Sequence, residues 1–384
     1  MKSVSENFKI ILAGTCSTLI AIGLSRFIYT PILPDMQSSL NLTSTTMGIL
    51  SSYNYFGYLI GSLIPIIWKF SNLRIIIVFS SIISVITIGL MGLTTNIKVF
   101  ILLRFLCGIS SALGFIFTIS LMFNLFKSDI NKSLQLYHFC GIGLGIIIGT
   151  ITVWIVSSNN LFWNHQWMII GCIGLIACIP IIFFIPKQLS STNITSDSIK
   201  TKLSNDFVTI SLGYFFFGVG YIIFGTFISA IAWDSLGISS YQYLSWIVVG
   251  FFAIPSVLIW NSISNKFRTD SSLFFSCSTI TLGVTILFVN NEPIHFLIAC
   301  MLYGLGVPGT VALILVEGKK RFIGNINISV AIMTTAFSIG QILGPYVSGI
   351  LIDLENDYKS SVLLAIVCLL ISSILMLDPK RFKK

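Results

Sequence analysis

Two arginines and one histidine stand where ionisable side chains are rare. Arg26, Arg104 and His138 each lie well inside an apolar run long enough to cross a bilayer, and no other Lys, Arg, His, Asp or Glu does. A charge at mid-membrane depth costs about 2.5–3.5 kcal/mol on an insertion scale, so such groups face a bundle interior or a wet cavity. Arg26 lies about eight residues from the end of the first run, and Arg104 about six from the corresponding end of the fourth. At about 1.5 Å of rise per residue the two guanidinium groups reach similar depth in the outer half of the membrane. On helices lining one cavity they form a planar fork for a carboxylate or other anion. The plainer alternative is that each is neutralised by carbonyls and holds helices together. His138, about one turn inside the fifth run, is a candidate proton relay because imidazole titrates near neutral pH, although a lone histidine there also fits ordinary packing.

Polar aromatic and amide side chains mark further candidate cavity faces: Tyr53, Asn54 and Tyr58 on the second run, Tyr214 and Tyr221 on the seventh, Tyr303 on the tenth and Gln341 on the eleventh. Tyr214, Gly218 and Tyr221 share one helical face by their spacing. Buried amides and small residues also bond helices to each other, so the same set fits interhelical packing. Carboxylates are placed differently. Asp35, Asp234, Glu292, Asp353, Glu355 and Asp357 fall at run ends or in loops, and Glu317 ends the tenth run. A net positive interior disfavours a cationic solute and favours an anionic or neutral one. The eight cysteines sit in apolar runs with no CxxC spacing, which reads as buried thiols and neither a disulfide framework nor a metal site. No cofactor is expected.

The elements that must position these groups are membrane helices. Hydrophobic residues make up 55% of the 384 positions, charged residues 9%, and mean hydropathy is +0.95, far from the composition of a soluble domain. A helix spanning the hydrocarbon needs about 20 mainly apolar residues. Twelve such segments are read at 10–33, 47–68, 75–93, 99–123, 134–156, 167–185, 207–233, 244–263, 273–289, 294–316, 326–352 and 361–377. The apolar segment after Lys9 is too long for a signal-peptide core and lacks a small-residue cleavage site, so it reads as a retained first helix. The longest polar break, rich in Ser, Thr, Asn and Lys, gives a division into an N-terminal six-helix bundle (1–186), a cytoplasmic linker (187–206) and a C-terminal six-helix bundle (207–384).

Cytoplasmic loops retain Lys and Arg. With the N-terminus inside, eighteen Lys and Arg fall on inner loops and tails, and only Lys98 and Lys359 fall outside. An odd error in the helix count would scramble that asymmetry. It also accounts for the net charge of +9 without a nucleic-acid partner. Both termini are therefore expected in the cytoplasm, and the chain is expected to be a monomer. Gly141, Gly145 and Gly149 on the fifth helix, and Gly340, Gly344 and Gly349 with Pro345 on the eleventh, place small residues about four apart, which lets helices approach and slide. Their place at the fifth position of each six is a weak internal repeat, as in transporters built from duplicated bundles.

The chain resembles the major facilitator superfamily over essentially its full length. RFLCGISSALG (Arg104 to Gly114) resembles the fourth-helix motif whose arginine is implicated there in substrate or proton handling. HFCGIGLGIIIG (His138 to Gly149) resembles the Gly-rich fifth-helix motif without its usual proline. GLSRFIYTPILPDM (Gly23 to Met36), YNYFGYLIGSL (Tyr53 to Leu63) and AFSIGQILGPYVSGILID (Ala336 to Asp353) resemble the bacterial YbfB/YjiJ branch. Two loops depart from the family. WKFSNLR (Trp68 to Arg74) has no acid, and Asn265 precedes Lys266 where an Asp is usual, so a gating network would have to be rebuilt from hydrogen bonds.

The resemblance implies an all-α protein of two six-helix bundles that opens alternately to each side. The expected function is secondary transport of a small organic solute, with protons as a candidate coupling ion. Proton-driven export of amphipathic compounds is the alternative within transport; a membrane sensor or lipid-handling protein is the alternative outside it. An enzyme is disfavoured, because His138, His165 and His295 lie in separate segments and no catalytic cluster is visible.

Overall fold

In lipid every backbone N–H and C=O must be satisfied within the segment, which leaves the helix as the one solution for isolated apolar runs. The computed structural model describes residues 4–68, 70, 72–126, 129–186, 204–236, 239–290, 292–322 and 326–377, and these contain helices and no strand. The first expected helix is a continuous composite of α1 (Val4–Thr18), a π-helical stretch (Leu19–Phe27) and α2 (Tyr29–Leu40). Then follow α3 (Ser44–Ile67), α4 (Leu73–Met91), α5 (Ile97–Leu125), a 3₁₀ segment (Asp129–Phe139), α6 (Cys140–Ser158) and α7 (Trp163–Phe184). The remainder is α8 (Asn205–Leu236), α9 (Ser239–Lys266), α10 (Thr269–Val289), α11 (Pro293–Arg321), α12 (Ile326–Glu355) and α13 (Lys359–Met376).

Among the described residues, eleven helices are long and apolar enough to cross a membrane. The twelfth of the expected set, α3, has 24 residues but is less apolar, because Ser51, Ser52, Tyr53, Asn54, Tyr55 and Tyr58 crowd its middle. Observed helices mostly outrun the expected ones by a turn or so, since the polar residues at their ends satisfy the last backbone groups without being apolar.

The chain forms two compact units. The first is Met1–Asn41 with Tyr53–Ile194, and the second is Leu42–Ser52 with Thr195–Lys384. Most of the linker expected at 187–206 lies outside the described residues. Leu42–Ser52 groups with the second unit, and hydrogen bonds join it to α12. The first amides of a helix have no partner within it, and a carboxylate is favourable there. Asp353, near the end of α12, accepts from the Ser44 amide at 2.8 Å and the Thr45 amide at 2.7 Å. Further along, Ser52 Oγ donates to the Ile342 carbonyl at 2.7 Å.

The glycine ridges set how closely helices meet. In the first unit, a Cβ added at Gly141 would lie 2.2 Å from the Thr15 carbonyl oxygen, and one at Gly145 would lie 2.8 Å from the Gly23 Cα. Gly149 meets Ile28. In the second unit, Gly340 lies against the Phe215 carbonyl and Gly344 against Val219 and Ile222 of α8. Thus in each unit the Gly-rich helix packs on the unit's opening membrane helix. Pro345 turns its carbonyl toward Gly48, where a Cβ would lie 2.2 Å away.

Gly145→Val should lower the apparent unfolding temperature of detergent-purified protein by several degrees, as overpacking costs about 1–3 kcal/mol. Ile148→Val, on the exposed side of the same helix, should leave it within a degree or so of wild type. Equal melting of the two variants would contradict the close-contact role.

Candidate functional site

The π-helical stretch prepares the first unit's polar centre. Pro31 has no N–H, so neither the Phe27 carbonyl at α spacing nor the Arg26 carbonyl at π spacing finds its helical donor there. The wider turn carries Ser25, whose Oγ donates to the Ile20 carbonyl at 2.7 Å, and π stretches of this kind recur at functional sites. The Ser25 carbonyl then accepts from Arg104 Nη1 at 3.3 Å and Cys107 Sγ at 3.7 Å.

Two tyrosine-faced guanidinium groups result. The Arg26 group lies 4.6 Å from the Tyr55 ring centroid and 4.7 Å from that of Tyr58, and Arg104 lies 4.6 Å from the Tyr29 ring. An arginine over a ring face is held by the ring quadrupole, at about 2 kcal/mol when desolvated. Asn54 Nδ2 donates to the Arg104 carbonyl at 3.1 Å. That bond depends on Gly108, where a Cβ would lie 2.1 Å from the Asn54 carbonyl oxygen. Arg26 and Arg104 are within electrostatic reach of each other, and both are buried, Arg104 completely.

The second unit brings Tyr214, Tyr221, Tyr303 and Gln341 into one buried aromatic cluster. Tyr214 stacks on Phe337 with centroids 4.2 Å apart, and Tyr221 lies nearly parallel to Phe337 at 5.6 Å and to Phe217 at 5.0 Å. Gln341 Nε2 donates to the Tyr221 hydroxyl, and the Tyr303 hydroxyl donates to the Tyr221 carbonyl at 2.8 Å. Gly225 leaves the room in which that Tyr303 hydroxyl sits. Gln341 Oε1 is buried with no hydrogen-bond partner among the described residues.

Other expected residues land elsewhere. Tyr53 is 40% exposed and meets Phe56 edge-on, while its neighbours Tyr55 and Tyr58 face Arg26. His138 is fully buried, with Nδ1 2.6 Å from the Gln135 carbonyl and its ring 4.2 Å from that of Phe139. It therefore carries its proton on Nδ1. The residues that sequence reasoning passed over are Ser25, Tyr29, Tyr55, Phe217 and Phe337. Spacing held the signal for two of them: Tyr29 follows Arg26 by three positions, and Tyr55 precedes Tyr58 by three.

The two loops that depart from the family pattern carry different networks. In the first unit Asn72 caps α4 by accepting from the Ile75 amide at 3.2 Å. In the second, Arg268 pairs with buried Asp270 at 3.0 Å. Arg321 pairs with Glu317 at 3.1 Å and donates to the Met376 carbonyl at 2.9 Å, tying α11 to the end of α13.

Long apolar helices in two units, with buried polar centres, define a multi-pass membrane protein of transporter architecture. The crystal structure of a point mutant of the nucleoside transporter NupG shares this fold, with a TM-score of 0.74 over 97% of this chain and 98% of that one at 12% identity. The family described as "Uncharacterised MFS-type transporter YbfB" matches residues 18–377, and the chain belongs to it. The uncharacterized MFS-type transporter YtbD of Bacillus subtilis (strain 168) is 21% identical over 365 residues, which cover 91% of this chain and 89% of that protein. The protein is thus a membrane transporter, and the family is not one of enzymes.

A buried charge retained for binding is a burden on the fold, and replacing it by a well-packed apolar group is often neutral or stabilising. Arg26→Met should therefore leave the unfolding temperature in detergent unchanged or raise it. A fall of more than about 4–8 °C, equivalent to roughly 1 kcal/mol in a small domain, would show that Arg26 serves packing.

Proposed function

We propose that the protein is a secondary active transporter that moves a small organic anion across the bacterial cytoplasmic membrane by alternating access. The observation that carries the reading is the pair of tyrosine-faced guanidinium groups of Arg26 and Arg104, buried within electrostatic reach of each other. The interiors of the apolar runs hold no Asp or Glu that would repel an anion. Carboxylate and guanidinium geometries match bidentately, and the ring faces suit the apolar body of an organic acid. Arg104 has no exposed surface, so a solute reaches it only after the protein changes shape, which is what alternating access supplies.

The positive-inside asymmetry supports a topology with both termini in the cytoplasm. Asn54, Tyr221, Tyr303 and Gln341 are proposed as supporting solute contacts. His138 is the titratable candidate for proton coupling, and its apolar surroundings favour the helix-packing role. A second reading, export of amphipathic aromatic compounds, draws support from the stacked rings of Tyr214, Phe217, Tyr221 and Phe337. The Gly ridges on α6 and α12 supply the surfaces on which helices slide in either case.

The test is flux into proteoliposomes against a panel of organic anions, neutral metabolites and cationic dyes, chosen after a thermal-shift screen in which ligands of the folded form raise apparent stability. The expected result is saturable uptake or exchange of a monocarboxylate or dicarboxylate. Arg104→Ala should reduce it at least about tenfold, as loss of a charge-assisted contact of roughly 1.5–3 kcal/mol requires, with membrane insertion retained. Flux of cations only, or full flux in Arg104→Ala, would overturn the proposal.

A further inference from the structure

Arg74 is misplaced for a helix. It occupies the first turn of α4, where the helix dipole favours anions and opposes a positive side chain. One cause is local. Pro186 has no N–H to offer the Ile182 carbonyl four residues before it, and Arg74 Nη2 donates to that carbonyl at 2.6 Å. A guanidinium has five N–H donors, and this is the one that is engaged among the described residues, with no carboxylate paired to it there. Arg74 lines a groove of about 320 Å³ between the start of α4 and the end of α7. Its other walls are Asn72, Ile75, Val78, Phe79 and Ile182.

The surroundings of this groove are lateral membrane surface. Ile75 is 51% exposed, Phe79 61% and Phe183 73%, and all three belong to helices apolar enough to span the bilayer. A cation at the end of such a helix sits at headgroup depth, and the apolar walls run from it along the hydrocarbon. We infer that this groove binds one anionic phospholipid, with its phosphate on Arg74 and an acyl chain along Val78, Phe79 and Ile182. Charge complementarity selects an anionic headgroup over a zwitterionic one, and the apolar walls select a lipid over a soluble phosphate. The inference concerns a surface distinct from the buried arginines and does not depend on what solute is carried.

The test uses purified full-length protein delipidated in detergent and titrated with phosphatidylglycerol or phosphatidylcholine, with bound lipid counted by native mass spectrometry. Wild type should retain one phosphatidylglycerol in preference to phosphatidylcholine. Arg74→Gln should bind it about fivefold less, the equivalent of one basic residue near a charged surface, whereas Arg74→Lys should keep the preference. Val78→Trp, which fills the groove and leaves Arg74 in place, should abolish retention, and it carries the test if Arg74→Gln fails to fold. Millimolar inorganic phosphate should not displace the lipid. Equal retention of the two lipids, unchanged binding in Arg74→Gln and Val78→Trp, or full displacement by inorganic phosphate would overturn the inference.

Discussion

The burial of two guanidinium groups in lipid-embedded helices is the constraint around which the first unit is arranged. A charge in that setting is tolerated only where rings, carbonyls and neighbouring dipoles replace water. The opening membrane helix meets this demand by departing from regular geometry. Its π-helical stretch, broken before Pro31, places Arg26 under Tyr55 and Tyr58 and turns the Ser25 carbonyl toward Arg104. Asn54 and Gly108 then fix the approach of α3 to α5 at the same level. The irregular backbone and the buried charge thus fall on one stretch of the opening helix.

Helix packing in both units follows from small residues, since apolar side chains have no preference for one another over lipid tails. The α6 ridge lets backbones touch at Gly23 and Gly145, and the α12 ridge does the same against α8. That recurrence gives physical content to the weak internal repeat in the sequence. Where small residues end, hydrogen bonds take over. Asp353 closes the first turn of α3, and Arg321 closes the last turn of α13.

Much of this was legible in the residues themselves. Hydropathy and length located the helices, because lipid imposes one backbone solution on every long apolar run. The rarity of charge picked out Arg26 and Arg104 at once. The partners were harder to see, since an arginine's ring contacts come from other helices and depend on rotation about each axis. Thus Tyr53 read as readily as Tyr55, although one is exposed and the other faces Arg26. Phe337 was invisible for a different reason: a phenylalanine in an apolar run carries no polar signal, and only the stack with Tyr214 and Tyr221 gives it meaning. The start of α3 is bonded to a carboxylate 309 residues from Ser44 in sequence, a pairing that no local pattern encodes.

The proposed anion-binding centre is the pair of buried arginines, Arg26 and Arg104. The most direct test is a structure of the protein soaked with para-bromobenzoate, located by the anomalous signal of bromine. Density is expected beside the Arg26 and Arg104 guanidinium groups, with the carboxylate between them and the bromine toward the tyrosine rings. Bromine found only at other sites, with both arginines still held solely by protein groups, would contradict it.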